Sequence, residues 1–470
     1  MLFNSSEFLV FLACFGALYA LATGLQPWVS WRNGLLILAS YIFYAQWDPR
    51  FTLLLFFTTA LDFSVSWHIG SSPSQRRKRA LLIVSVVLNL GVLAAFKYFD
   101  FFRESLEILL DSFGQGYRWK PLMIFVPVGL SFYTFQSMSY VVDVYRGQLA
   151  PCRNFVQFMA YESFFPQLVA GPICRGKTLL HQFASRRAAT LRDLESGVWL
   201  MLWGMFKKVV LADNLAPLVE LVYEHADPSA PMLALGTLAF GLQIYCDFSG
   251  YTDIARGLAR ALGFDLGLNF NLPYLATSLI DFWRRWHISL SSWLRDYLYI
   301  PLGGNRNGQA STCLNLGLTM LLGGLWHGAS VTFILWGLWH GLGLVANHLW
   351  AGNRPQGRAL PAWAGWILTQ VFVLFGWMLF RANSLDKLVG FAAHWNVFTL
   401  PMWWQTYLKN LLVLGAPLAA MQFWQWRSGD LEATLTLSRW PKAALQATLL
   451  LFIIAYWPRD HSTPFIYFQF

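Results

Sequence analysis

The chain has 470 residues, 56% hydrophobic and 17% aromatic but only 12% charged, against about 25% in ordinary soluble domains. That balance excludes a soluble globular enzyme. The net charge of +10 lies in short basic clusters between apolar runs, where it orients membrane spans and meets anionic lipid rather than nucleic acid. The expected fold is all-α: a polytopic transmembrane helix bundle, one domain over 1–470, because no long polar block could form a soluble domain. Basic loops of this kind also attract an anionic cofactor such as a nucleotide-bearing thioester. The five cysteines (14, 152, 174, 246 and 313) sit mostly in apolar text and show neither a disulfide framework nor metal spacing.

Helix one is predicted over 7–25. Glu7 precedes its apolar run and no Lys or Arg follows until Arg32, so it lacks the basic leader of a signal peptide and is expected to be retained. A short helix over 34–46 and a longer one over 51–69 lead to Arg76-Arg77-Lys78-Arg79, the densest basic run. The positive-inside rule puts that run in the cytoplasm, so three crossings place the N-terminus outside (periplasmic) and the Arg32 loop inside. Spans over 80–97 and 121–142 follow, the second kinked at Pro127 and Gly129. Residues 155–172 are apolar but hold Glu162, Pro166, Gly171 and Pro172, the pattern of a broken, re-entrant element lining a cavity.

Lys207 and Lys208 close an apolar run over 198–211, where they are expected to snorkel. A span over 231–246 ends at Asp247-Phe248-Ser249-Gly250-Tyr251-Thr252-Asp253. These polar groups read either as a cap and turn at a helix junction or as the lining of an inner cavity. Residues 278–300 are predicted to form an amphipathic helix, with Asp281 and Arg285 paired at i,i+4 and Pro301, Gly303 and Gly304 ending it. Residues 307–353 carry no Asp, Glu, Lys or Arg and are long enough for two crossings. Spans over 362–380, 408–423 and 442–456 bring the expected total to about eleven, besides re-entrant and amphipathic helices.

No hydrolase elbow, metalloprotease pair or phosphate-binding loop occurs, which leaves the histidines. Gly-Leu-Trp-His-Gly appears twice in the charge-free stretch, at 324–328 and 337–341. An ionisable group in such a segment is a functional candidate. Burial keeps an imidazole neutral, the state a general base acting on an alcohol needs, and Gly324 and Gly328 leave room for a substrate. On the residues alone, His327 is either that base or a histidine bonded to a backbone carbonyl in a crowded Trp-rich core. His340 follows after 13 residues (340 − 327), roughly 220° around a continuous helix, so the two face opposite ways and one should only pack. His287, with Trp283, Arg284 and Leu294 near its face at helical spacing, is either part of an interfacial Trp and Arg belt or a second polar group that stabilises an oxyanion.

The segment Asp281-Phe282-Trp283-Arg284-Arg285-Trp286-His287 through Arg306, followed by Met320 to Ala329, resembles the membrane-bound O-acyltransferase (MBOAT) family, in particular its alginate O-acetylation branch. Further matches are 127–133, 140–147, Ala170-Gly171-Pro172, 248–251, 269–274 and 464–470, so the resemblance covers nearly the whole chain. It implies a ring of helices around a central tunnel narrowing near two polar groups. The essential histidine falls on His327 and the second polar position on His287, while His340 has no catalytic assignment.

The implied activity is that of an acyltransferase in the bacterial inner membrane. It takes acetyl groups from a cytoplasmic donor, expected to be acetyl-CoA, and passes them across for O-acetylation of an exopolysaccharide, alginate foremost and cellulose or another surface polymer as the alternative. Trp283, Arg284, Arg285, Trp286 and Arg295 are the expected donor-side residues. No metal or permanently bound cofactor is expected. The expected partners are periplasmic or membrane acetyltransferase proteins and the lipid bilayer, without nucleic acid. A transporter of acyl groups with no chemistry of its own is the alternative of another class.

Overall fold

The computed structural model describes the chain apart from residues 26–28, 115, 121–125, 170, 186–187, 226, 353–359, 459–462 and 469–470. The start of the 121–142 span, Ala170, Arg186, Arg187 and His461 therefore lie outside the described residues. Among the described residues every regular element is helical. They form two compact units, Met1–Asp193 with Leu258–Gly267, and Leu194–Gly257 with Leu268–Phe470.

The first unit holds α1 (Ser6–Leu25), α2 (Val29–Ala45), α3 (Arg50–Ser71), α4 (Gln75–Lys97), α5 (Phe99–Ser112), α6 (Leu130–Tyr145), α7 (Phe155–Ser163), α8 (Phe165–Leu168) and α9 (Gly176–Leu179). Its polarity runs opposite to that of a soluble bundle. On α4, Ile83, Val84 and Val87 are exposed, whereas Ser85 and Asn89 are buried. Both donate to the buried carboxylate of Asp62 on α3, at 2.6 Å from Ser85 and 3.0–3.1 Å from Asn89. With lipid as solvent the apolar face turns outward, and inward polar groups tie helices together.

Two helices start earlier than expected. In α2, Arg32 and Asn33 are helical and buried, donating to the carbonyls of Gln182 at 3.1 Å and Phe183 at 2.9 Å. Arg32 is therefore not a loop residue. In α4 the Ser74 hydroxyl accepts from Arg77 N, which draws the basic run into the first turn. The element over 155–172 is broken, as expected: Phe164 separates α7 from α8, and buried Glu162 accepts from Ser137 Oγ at 3.1 Å. Left-handed Gly129, at φ 77°, precedes α6.

The chain continues through α10 (Leu191–Met205), a π turn over Phe206–Ala212, α11 (Asp213–Tyr223), α12 (Ala230–Ala261), α13 (Leu279–Arg285), α14 (Ile288–Leu294), α15 (Gly308–His327), α16 (Val331–Gly352), α17 (Ala362–Arg381), α18 (Leu385–Ala393), α19 (Trp404–Ser428) and α20 (Arg439–Ala455). Among the described residues, α3, α4, α12 and α17 are each long and apolar enough to cross a membrane.

Three expectations in the second unit are corrected. Lys207 and Lys208 do not snorkel: they are buried, because carboxylates meet them inside. Lys207 Nζ lies 2.7 Å from Asp253, and Lys208 Nζ lies 2.7 Å from Asp213 and 2.8 Å from Asp247. Residues 247–253 are likewise no helix junction. They run within α12, and those lysines neutralise its buried acids. The predicted helix over 278–300 is broken after Arg285 and resumes at Ile288, so the helical spacing around His287 does not hold.

Candidate functional site

His287 sits at the break between α13 and α14 with φ 43° and ψ 54°, a left-handed conformation uncommon for a residue with a Cβ. Such strain costs of order 1–3 kcal/mol and persists only where the surroundings over-determine it. Here the clamp is Asn269. Its carbonyl accepts from Ile288 N at 2.9 Å, and its Oδ1 accepts from Ser289 N at 3.1 Å and Ser289 Oγ at 2.9 Å. The preceding Trp286 carbonyl accepts from Ser291 Oγ at 3.1 Å. His287 is 1% exposed. It lies between two seven-residue helices too short to span a membrane, and burial pushes its imidazole down to about 3, so it is neutral near pH 7.

His327 is the last residue of α15 and is 5% exposed. The helix stops there and α16 begins at Val331, so the charge-free stretch forms two helices, in keeping with its length. The repeated pentapeptide has a packing reason. A Cβ on Gly324 would strike the Phe333 carbonyl oxygen and lie 3.0 Å from Gly337 Cα, and one on Gly337 would lie 2.6 Å from the Met320 carbonyl oxygen. The leading glycines of the two copies thus let α15 and α16 touch backbone to backbone. Gly328 faces the Phe333 ring in the same way. Gly324 therefore makes room for the α16 backbone and Gly328 for the Phe333 ring.

Aromatic rings join the two histidines by two routes. His287 lies 6.1 Å from the Trp326 ring, which is 5.1 Å from His327. On the other side His287 lies 4.7 Å from Phe248, Phe248 lies 4.6 Å from Tyr467, and Tyr467 lies 5.5 Å from His327. Trp336 and Phe380 complete the wall behind His327 at 4.9 and 5.3 Å. Two imidazoles in a closed aromatic setting, one neutral at physiological pH, can take and return a proton and donate to a developing oxyanion in a low-dielectric place.

His340 stands one ring further back: Trp336 separates it from His327, 4.8 Å from His340. It is fully buried among Trp283, Phe372 and Phe282, which agrees with a packing role even though the continuous helix behind the angular argument is absent.

The expected donor-side residues do not form one cluster. Trp283 packs on His340 at 5.1 Å, and Trp286 is buried against Trp377 at 4.8 Å and Phe270 at 5.0 Å. Arg284 is exposed, Arg285 pairs with Asp281 at 2.8 Å as expected, and exposed Arg295 pairs with Asp296 at 2.6 Å. Phe270 also borders a cavity of about 30 Å³ lined by Lys207, Ser249, Asp253 and Arg256, enough for one or two waters. Asp253 and Ser249 thus line an inner cavity, one of the two readings their sequence allowed. Among the described residues no cluster of His, Cys, Asp and Glu is arranged to hold a metal.

Tyr467, Phe248 and Asn269 were not singled out by residue chemistry. Asn269 and Phe248 are single residues in unremarkable text. Tyr467 lies in a short Pro-Phe-Ile-Tyr-Phe segment with no periodicity to interpret; only its place in a matched motif pointed to it.

The sequence profile of the membrane-bound O-acyltransferase family matches residues 149–385. The chain is 41% identical over 420 residues to the probable alginate O-acetylase AlgI of Pseudomonas aeruginosa, covering 88% of this chain and 78% of that protein. It is 35% identical over 380 residues to the peptidoglycan O-acetyltransferase of Helicobacter pylori, covering 75% of this chain and 71% of that protein. A teichoic acid D-alanyltransferase of Bacillus subtilis is 26% identical over 215 residues, 43% of this chain and 53% of that protein. The chain therefore belongs to the membrane-bound O-acyltransferase family and is a helical membrane acyltransferase.

Proposed function

We propose that this acyltransferase moves acetyl groups from a cytoplasmic donor, acetyl-CoA, across the bacterial inner membrane for O-acetylation of alginate. The single observation that carries the chemistry is the pair of buried histidines joined through Trp326 and through Phe248 and Tyr467. The polymer is suggested by relatives whose names specify alginate O-acetylation, at 38–41% identity over most of the chain. In this reading the chain works as one membrane domain with its N-terminus on the periplasmic side. Periplasmic or membrane acetyltransferase proteins finish the transfer.

His327 acts as the base: it takes the proton of the acceptor hydroxyl as that oxygen attacks the thioester carbonyl. His287, neutral and held by the Asn269 clamp, donates to the carbonyl oxygen as negative charge develops there. Collapse of the tetrahedral intermediate releases the CoA thiolate, which recovers a proton from His327. Of the expected donor-side residues, the exposed Arg284 and Arg295 are proposed to meet the donor by charge, while Trp283, Arg285 and Trp286 support that surface from within.

The test is polymer acetylation in cells carrying His327→Ala or His287→Ala, with membrane levels of the protein measured alongside. Loss of O-acetyl ester from alginate at normal protein level is expected for both. Ester content unchanged in His327→Ala would overturn the assignment, and loss of ester from a polymer other than alginate would correct the substrate.

A further inference from the structure

We infer that Asp247 and Lys208 are positioning residues for the reaction: they grip the 464–468 segment and so hold Tyr467 against His327. The inference rests on the reading of His327 as the reactive group. Asp247, on α12, divides its carboxylate between two partners. Oδ1 takes Lys208 Nζ at 2.8 Å, and Oδ2 accepts from the backbone N of Ile466 at 2.7 Å, 219 residues along the chain. Lys208 Nζ also reaches Asp213 at 2.7 Å and the Pro464 carbonyl at 3.5 Å. One buried ion cluster thus touches the segment at the Pro464 carbonyl and at the Ile466 N–H.

Next to this grip the Phe465 ring is fully buried, 4.6 Å from Tyr251 and 5.5 Å from Phe248. Two residues on, the Tyr467 ring stands 5.5 Å from His327 and 6.3 Å from Phe380. The segment is short, and Ile466–Phe468 is a single 3-10 turn. Such a piece cannot fix its own orientation. The Phe465 anchor, the contact of Lys208 with the Pro464 carbonyl and the charge-assisted hydrogen bond from Ile466 N to Asp247 all help to set its place.

Local structure supports a positioning purpose. Lys208 lies in the π turn over Phe206–Ala212, an insertion that re-aims side chains and is frequent at functional sites. A buried ion pair is weak support for stability alone, because well-packed apolar residues often do as well. What apolar residues cannot supply is an acceptor directed at the Ile466 N–H.

The experiment uses the purified full-length protein in detergent with acetyl-CoA as donor. It compares wild type, Asp247→Ala, Ile466→Pro, Tyr467→Ala, the double variant Asp247→Ala/Tyr467→Ala, and His327→Ala. Ile466→Pro removes the donor N–H, together with the Ile466 side chain, and spares Asp247, Lys208 and Asp213, so it remains informative if Asp247→Ala folds poorly. Loss of one charge-assisted hydrogen bond is expected to speed deuterium exchange of the peptide covering 463–468 in Asp247→Ala by at least about tenfold. Exchange elsewhere in α12 should be unchanged. In Asp247→Ala and Ile466→Pro, kcat is expected to fall about tenfold or more with KM for acetyl-CoA within about twofold, because the segment and not the donor is displaced.

The double variant should be no slower than Tyr467→Ala, since Asp247 acts through the segment. His327→Ala should lose turnover but keep wild-type exchange. Wild-type exchange of 463–468 in Asp247→Ala, or additive losses in the double variant, would overturn the grip. Retained turnover in His327→Ala would overturn only the assignment on which it rests.

Discussion

Gly324→Ala probes the crossing that presents His327. A Cβ at 324 would meet backbone on α16: the Phe333 carbonyl oxygen, then Gly337 Cα at 3.0 Å and Gly337 N at 3.1 Å. Backbone cannot rotate aside as a side chain can. Comfortable carbon contacts lie near 3.5–4.0 Å and the carbonyl oxygen is the nearest obstacle, so α15 and α16 must part by roughly 1 Å. Overpacking of this kind costs about 1–3 kcal/mol. His327 lies three residues from Gly324, on the last turn of α15. A shift of about 1 Å at a reacting group lowers turnover on the order of 100-fold.

Gly317→Ala is the control: it lies on the same helix, nothing stands within 4 Å of a Cβ placed there, and removing a helical glycine gains up to about 1 kcal/mol. Both variants would be purified in detergent and compared for unfolding midpoint and for CoA release from acetyl-CoA. Gly324→Ala is expected to lose stability and turnover together while Gly317→Ala keeps both. Equal behaviour of the two would refute the backbone-contact explanation of the doubled motif.

His287 is held neutral, its folded-state value lowered to about 3 against about 6.5 in an unfolded chain. Above about pH 6.5 neither state is charged and the difference is nil; as pH falls, the unfolded chain gains the proton first and stability is lost. At pH 5 the loss is roughly 2 kcal/mol, so acid unfolding of His287→Asn, which tolerates the left-handed backbone, should be shallower than wild type. An identical acid limb in both would contradict the buried, neutral state.

Asp253→Leu strands Lys207, which otherwise pairs at 2.7 Å and is left with Ser249 Oγ at 2.9 Å and the Trp203 and Tyr245 rings at 5.9 Å, and should cost about 3–5 kcal/mol. Lys207→Met should cost less, since Arg256 still pairs with Asp253 at 3.0 Å. The double variant Lys207→Met/Asp253→Leu should recover most of the Asp253→Leu loss, and a simple sum of the two single costs would show the pair to be uncoupled.

Hydropathy made the helical membrane fold legible, because a bilayer imposes long apolar helices whatever the detail; α1, α3, α17 and α20 begin and end close to where the sequence places them. It misled where a charge is neutralised from a distant stretch. Lys207 and Lys208 look like interfacial lysines until Asp253 and Asp247, some 40 residues on, are folded against them. The break at His287 was equally hidden: Trp286-His287-Ile288 continues a helical pattern, and the bend depends on Asn269, which precedes it by 18 residues. His327 was legible as an ionisable group in charge-free sequence. Its ring neighbour Tyr467 was not, since the contact spans 140 positions and no local pattern announces it.

The most direct measurement is CoA release by purified protein given labelled acetyl-CoA, with and without a hydroxyl acceptor, in wild type and His327→Ala. Wild type is expected to release CoA in an acceptor-dependent manner, and His327→Ala to release none above background while remaining folded by size-exclusion chromatography. Release that persists at the wild-type rate in His327→Ala, or acetyl movement across a vesicle membrane with no CoA formed, would contradict acyl transfer at His327.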